Sequence, residues 1–222
     1  MAFKYITRYF NVIFPAGKVT FFNEVRHIFI AITEFKFLNL DDILHYKKLE
    51  NSIDFLIVRT PMSVYQLIEW INQLIQKGFS KNKIIIHSNT AILERCNLSA
   101  IHFKEDDERI ENFKITHPNI QISISTHCSQ SVKKAQKLNL DFVLFGHIFQ
   151  TKSKPNKPPR TKSEINDVLK HRIPIIALGG VNELTLKYLE KGFDGVAGIE
   201  IFRRKNTKSV ERLKKKWEEH QI

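Results

Sequence analysis

Cysteine is scarce in this sequence. Cys96 and Cys128 are the only two, and no Cys-x-x-Cys spacing occurs. A disulfide framework and a thiolate zinc cluster are thereby disfavoured, and the usage fits a reducing cytoplasm. Long apolar runs are missing too. No stretch reaches the ~20 residues that a membrane-spanning helix needs. The first 26 residues hold aromatic side chains broken up by Lys4, Arg8 and Lys18, with no continuous apolar region and no Ala-x-Ala site. A signal peptide is therefore not expected. No early Gly-x-Gly-x-x-Gly marks a dinucleotide crevice. Acidic residues are also few, 23 against 35 Lys and Arg, for a formal net charge of +12. The imbalance is local. Residues 150–172 carry seven basic side chains against two acidic ones, and residues 203–222 carry eight against three. The first segment suits attraction of an anionic substrate. The second reads as a solvated basic tail. Lys214-Lys215-Lys216-Trp217 offers only thin support for nucleic acid, which prefers basic and aromatic residues interleaved on one face.

What is present is a repeating unit of apolar run, polar break and amphipathic stretch. Hydrophobic residues make up 42% of 222, enough for one core. Candidate strands are His27–Thr33, Ile53–Arg59, Lys83–Ile86, Ala100–Phe103, Gln121–Ser125, Phe142–Phe149, Pro174–Leu178 and Gly195–Ile199. Between the second and third, Ser63 and Gln66 form a capping-box pattern, Val64 to Ile75 follow at helical spacing, and Gly78 is a stop. Ser129 is expected to cap a short helix. Asn182 is expected to cap another, ended by Gly192. Eight short, evenly spaced strands alternating with helices imply a parallel sheet closed on itself. The expected fold is a single-domain (β/α)8 TIM barrel over residues 27–222 with a basic C-terminal tail, preceded by an N-terminal arm or extension over residues 1–26.

Parallel strands deliver chemistry from their carboxyl ends. Gly179-Gly180 follows a buried run and precedes an expected helix start, where backbone amides can approach an anion. Gly198 lies at the next strand end. His147 follows Gly146 in an otherwise apolar run, and an imidazole can accept and return a proton near neutrality. The segment Thr151 to Arg160 is too long for a simple turn. Its hydroxyls and cations can close over a phosphate. His87, His102, His127 and His147 lie in or near strands three to six without a ligand pattern, so no metal site is read from them. Here His127 reads as a turn residue after Ser125. Glu34 has only a weak claim to reach the pocket.

These residues carry a family resemblance. Ile124-Ser125-Thr126-His127, Phe145-Gly146-His147-Ile148-Phe149, Thr151-x-x-Lys154, Ala177-Leu178-Gly179-Gly180 and Val196-Ala197-Gly198-Ile199 resemble the superfamily of thiamine phosphate synthases and their TenI-type relatives, the thiazole tautomerases. The likeness runs from about residue 27 to 202 and implies a β/α barrel. Synthases resemble one another in an Arg-x-Lys after strand two and an Asn-Asp pair after strand three, which bind a pyrimidine diphosphate and its Mg²⁺. This chain has Arg59 but Pro61, and His87-Ser88-Asn89 after strand three. A carboxylate is the usual protein ligand of Mg²⁺, and Asp106 is left as a candidate ligand of uncertain register. Gly146-His147 is similar to the tautomerase pattern.

The resemblance thus leans to the tautomerase branch. It implies an isomerase of thiamine biosynthesis, with His147 shuttling a proton to aromatise a thiazole carboxylate phosphate. Gly179, Gly180 and Gly198 would hold the phosphate, while Arg59, Ser125, Thr151 and Lys154 line the substrate. No metal or organic cofactor would be needed. The alternatives are a thiamine phosphate synthase, which would use Mg²⁺ and release diphosphate, and a non-catalytic, regulatory barrel that binds a phosphorylated ligand. The expected partner is a small phosphorylated thiazole, with no membrane and no nucleic acid. The sequence leaves room for a homo-oligomer.

Overall fold

The computed structural model describes residues 27–151, 154–203 and 207–221. The expected N-terminal arm over residues 1–26 lies outside the described residues.

Eight parallel strands form a closed barrel in sequence order. They are β1 (Ile28–Ile32), β2 (Phe55–Val58), β3 (Ile84–His87), β4 (Ala100–Phe103), β5 (Gln121–Thr126), β6 (Phe142–Gly146), β7 (Ile175–Leu178) and β8 (Gly195–Gly198). Closure comes from β8 pairing with β1, with Phe29 opposite Val196 and Ala31 opposite Gly198. The period-two alternation of each strand divides its side chains between two cores. Ile30, Ile57, Ile85, Phe142, Leu144, Ile176 and Ala197 fill the lumen. A larger cluster seals the strands against the surrounding helices. Across the lumen, the rings of Phe55 and Phe142 stack with centroids 6.2 Å apart.

Among the described residues seven helices cover the outside: α1 (Leu40–Leu49), α2 (Val64–Gln76), α3 (Thr90–Arg95), α4 (Ile110–Thr116), α5 (Ser129–Lys137), α6 (Lys162–Leu169) and α7 (Thr207–Gln221). The Ser63/Gln66 capping box at α2 forms as the sequence indicates. Gly78 follows this helix at φ +88°, a left-handed stop. Two expectations fail. The cap of α5 is Cys128 without a side-chain bond, and Ser129 is already helical. Ser129 Oγ is instead paired with His171 Nε2 at 2.9 Å. Between β7 and β8 no α-helix forms. The Asn182 side chain accepts from the amides of Leu184 and Thr185, and only a 3₁₀ turn over Leu186–Tyr188 follows.

Residues 207–221 are not a solvated tail. They form α7, the cover of β8 and β1, with Val210, Leu213 and Trp217 fully buried. The indole packs edge-on against Phe29, centroids 6.1 Å apart, while the Lys214 ammonium sits 5.1 Å from the centre of the same phenylalanine ring.

Candidate functional site at the carboxyl rim

The lumen turns polar towards the carboxyl ends of β3, β4 and β5. His87 and His102 are register partners, and their rings lie 5.7 Å apart. His102 is buried and spans two serines of the next strand, Nδ1 to Ser123 Oγ at 2.8 Å and Nε2 to Ser125 Oγ at 3.0 Å. One ring nitrogen donates and the other accepts. Burial pushes the His102 imidazole down to about 3, with His87 adding to the shift. His87 is pushed down to about 4, by burial first and then by the positive charges of Arg59 and Lys104. Both rings are therefore neutral near neutral pH.

Arg59 and Lys104 stand at the exits of β2 and β4. Neither has an ion pair among the described residues. The Arg59 guanidinium lies over the exposed ring of Phe35 at 4.7 Å, and its backbone is pinned by Thr33, whose Oγ accepts from the Arg59 amide at 2.8 Å. An imidazole pair held neutral beside two uncompensated cations defines a mouth that favours anions.

Beyond Lys104 a second group closes the β4–β6 side. His127 follows β5 and is held at two points by one carboxylate. Its amide donates to Glu105 Oε1 at 2.7 Å, and its Nδ1 donates to Glu105 Oε2 at 2.6 Å. That bond leaves Nε2 as the acceptor for Lys154 Nζ at 3.3 Å. Burial favours the neutral form of Glu105, but the Ser131 hydroxyl and the His127 bonds outweigh it and hold the carboxyl below its ordinary value. Burial lowers Lys154, aided by the nearby Lys157 and Arg160. The sequence reading passed over this chain of three because Glu105, His127 and Lys154 come from three different strand exits. His127, read there as a turn residue, is the middle member. The Ser-Thr-His run after β5 was the available signal.

His147, the expected proton shuttle, is placed differently. It is 3% exposed, and Nε2 donates to the Lys157 carbonyl at 3.1 Å. Nδ1 is buried with no partner among the described residues. Its own carbonyl accepts from the Arg160 amide at 3.0 Å. These two bonds tie His147 to Lys157 and Arg160 of the following loop. The loop is thereby laid over the β6–β7 edge, and Thr151 turns it by accepting from the Lys154 amide at 3.1 Å.

Gly179 and Gly180 have φ of +93° and +71°. A Cβ at Gly180 would meet Phe149 Cβ at 2.7 Å and the Gln150 carbonyl oxygen at 2.8 Å, so glycine is demanded here by the returning loop. The helix start expected behind the pair is absent, which removes the helix dipole from the expected phosphate cradle. Gly198 ends β8 beside Ala31. Of the expected site residues, Arg59, Ser125 and Lys154 thus lie at the polar β2–β6 side. Gly179, Gly180 and Gly198 lie on the β7–β8 side.

Two open recesses lie away from this mouth. One, of about 310 Å³, is lined by Glu34, Lys36, Asp42, His45, Tyr46, Ile199 and Arg203. The other, of about 330 Å³, is lined by residues of the β7 and β8 exits and Ser209 of α7. In the first, Lys36 pairs with Asp42 at 2.9 Å and Arg203 pairs with Glu34. The chemistry is assigned to the lumen mouth, where Arg59 and Lys104 have no ion pair among the described residues.

The donor set at this mouth does not fit Mg²⁺. A hard divalent ion wants several oxygen ligands, usually with a carboxylate among them. Among the described residues no group of three or more His, Cys, Asp or Glu converges. Glu105 is engaged by His127, and Asp107 by Arg109 at 2.7 Å. Asp106, the candidate ligand, is exposed. His87 offers a nitrogen in place of a carboxylate.

A family model described as thiamine monophosphate synthase matches residues 44–202. The chain belongs to that family. A chain from Aquifex aeolicus, provisionally named thiamine-phosphate synthase 2, is 30% identical over 143 residues, 63% of this chain and 75% of that one. Thiamine-phosphate synthases from Picrophilus torridus and Listeria welshimeri are each 28% identical over 52% and 54% of this chain. The match spans 59% and 61% of those two relatives. A solved structure described as thiamine phosphate pyrophosphorylase from Pyrococcus furiosus has a TM-score of 0.69, covering 88% of this chain and 97% of the other at 18% identity. That last likeness is one of fold. Among the described residues no helix is long and apolar enough to cross a membrane.

The relatives overturn the thiazole tautomerase reading. They carry the synthase name. The synthase alternative stands better.

Proposed function

We propose that this chain is a transferase of thiamine phosphate assembly, in which a pyrimidine diphosphate and a thiazole phosphate meet at the carboxyl rim and diphosphate departs. Family membership and the names of the relatives support the reaction class. The observation that carries the reading is the mouth of the lumen. Arg59 and Lys104 face it without carboxylate partners, and His87 beneath them is held neutral. A diphosphate leaving with the bonding electrons gains negative charge. Cations standing at the mouth stabilise that charge more than they stabilise the bound substrate. Lys154, steadied by His127 and Glu105, adds a third cation from the β6 side. Thiazole phosphate, the second substrate, is the small phosphorylated partner.

The test supplies both substrates, with and without Mg²⁺, and follows diphosphate release together with thiamine phosphate formation. Stoichiometric appearance of both products is expected. A chain that binds either substrate yet releases no diphosphate under any metal condition rejects the reading.

A further inference from the structure

The exits of β3 and β4 are tied together by a guanidinium. Arg109 Nε donates to Asp107 Oδ1 at 2.8 Å, and Nη2 donates to Asp107 Oδ2 at 2.7 Å, a bidentate pair. The same Nη2 also donates to the Ser88 carbonyl at 3.0 Å. Ser88 is a non-glycine residue with φ of 56°, and its amide is fixed by the His102 carbonyl at 2.9 Å. The carbonyl that Arg109 meets is therefore held in place by a buried strand. The guanidinium also lies 5.4 Å from the centre of the Phe103 ring. Roughly half of the Arg109 side chain remains open to solvent, at 52% exposure.

A cation thus bridges two neighbouring strand exits through one carboxylate and one carbonyl oxygen. Those are the oxygen donors that a divalent ion would use. The Ser88 hydroxyl in the same turn is buried with no partner among the described residues. Nearby, Arg59 and Lys104 supply two more positive charges; neither forms an ion pair among the described residues, although Asp107 feels the Lys104 charge. A planar guanidinium recognises phosphate oxygens in its own right.

We propose that this rim binds a diphosphate group without a divalent metal, with Arg109 occupying the bridging position and Arg59 and Lys104 completing the charge. The proposal rests on the transferase reading for its ligand class. It differs from that reading in what can refute it.

The test is calorimetric titration of the full chain with inorganic diphosphate in EDTA, repeated with excess Mg²⁺. Binding in EDTA is expected, with an affinity that Mg²⁺ does not raise. Arg109→Gln should weaken binding in EDTA about tenfold or more, the scale of a lost charge-assisted contact. Arg59→Gln should also weaken it. Lys133→Gln, an equal charge change on the exposed face of α5, should leave it within about twofold, as expected for a distant surface charge. Binding that appears only with Mg²⁺ overturns the proposal, as does an Arg109→Gln protein that binds like the parent. Melting curves confirm that each variant is folded. If diphosphate binds without metal but no turnover occurs, the transferase reading falls and this one stands. If turnover occurs but diphosphate binds only with Mg²⁺, the reverse holds.

Discussion

The carboxyl rim carries charge on two arcs that are built in opposite ways. From β8 to β1, positive side chains meet carboxylates: Arg203 lies with Glu34 and Glu200, Lys36 with Asp42, and Arg212 with Glu183. From β2 to β6, Arg59 and Lys104 have no such partners, and two neutral imidazoles lie below them. On this arc carboxylates are present but serve to orient other groups: Glu105 aims His127, and Asp107 aims Arg109. Similar residue types therefore do different work. The first arc holds loops to the barrel, and the second leaves Arg59 and Lys104 without an ion pair among the described residues.

The comparison breaks most visibly at its cations. Combining Arg59→Gln with Lys104→Gln should lower diphosphate release by about 10²–10³-fold, the range seen when preorganised charge stabilisation is removed. The melting temperature should hardly move, because both side chains are exposed. Steady-state kinetics beside a thermal melt checks both halves. A loss below tenfold would place the anion elsewhere on the rim.

The neutral imidazoles predict an acid limb in stability. His102 binds its proton near pH 3 when folded and near its ordinary 6.5 when unfolded. Between these values the unfolded chain holds the extra proton, so stability falls as pH drops from 6.5 towards 3. His87, lowered to about 4, adds to the same limb. Urea unfolding midpoints at a series of pH values measure it. His102→Gln should flatten the slope by up to about one proton per pH unit. An unchanged slope would mean that the ring is not buried as described.

A smaller effect is expected at Glu105. Glu105→Gln keeps the size of the side chain but removes the charge that fixes the His127 tautomer, which loosens Lys154. The ratio kcat/KM should fall roughly tenfold, the scale of one weakened charge-assisted contact, and chiefly through KM. A kcat-only effect would argue that Lys154 does not touch substrate before reaction. The smallest effect belongs to the paired arc. Glu34→Gln should change stability by at most ~1 kcal/mol, as for other half-exposed ion pairs, and should leave diphosphate affinity unaltered.

Much of the architecture was legible from periodicity. Apolar runs every 16 to 33 residues announced the barrel, and Ser63 with Gln66 announced the start of α2. Two elements escaped for identifiable reasons. Asn182 has the chemistry of a helix cap, but its side chain closes a local turn and only a 3₁₀ segment follows. Residues 207–221 have few apolar positions among many lysines, which hides an amphipathic helix whose seal depends on Trp217. At the site, Arg59, Ser125 and Lys154 could be picked out from their motifs. The partnerships of Glu105 with His127 and of Arg109 with Ser88 span 22 and 21 positions. They exist only because adjacent strands place their exits side by side. At His147 the motif match pointed to chemistry, and the structure adds a bond from the ring to the Lys157 carbonyl.

The placement of Trp217 sets the timetable of biosynthesis. Its indole caps Phe29 in the first strand, which must also wait for the eighth strand to provide its second neighbour. At ~5–20 residues per second of translation, roughly 10–40 s pass between the emergence of Phe29 and that of its cap. During that interval the opening segment of the nascent chain has a sticky flank on the ribosome, so chaperone dependence should concentrate there and disappear once the last helix is released.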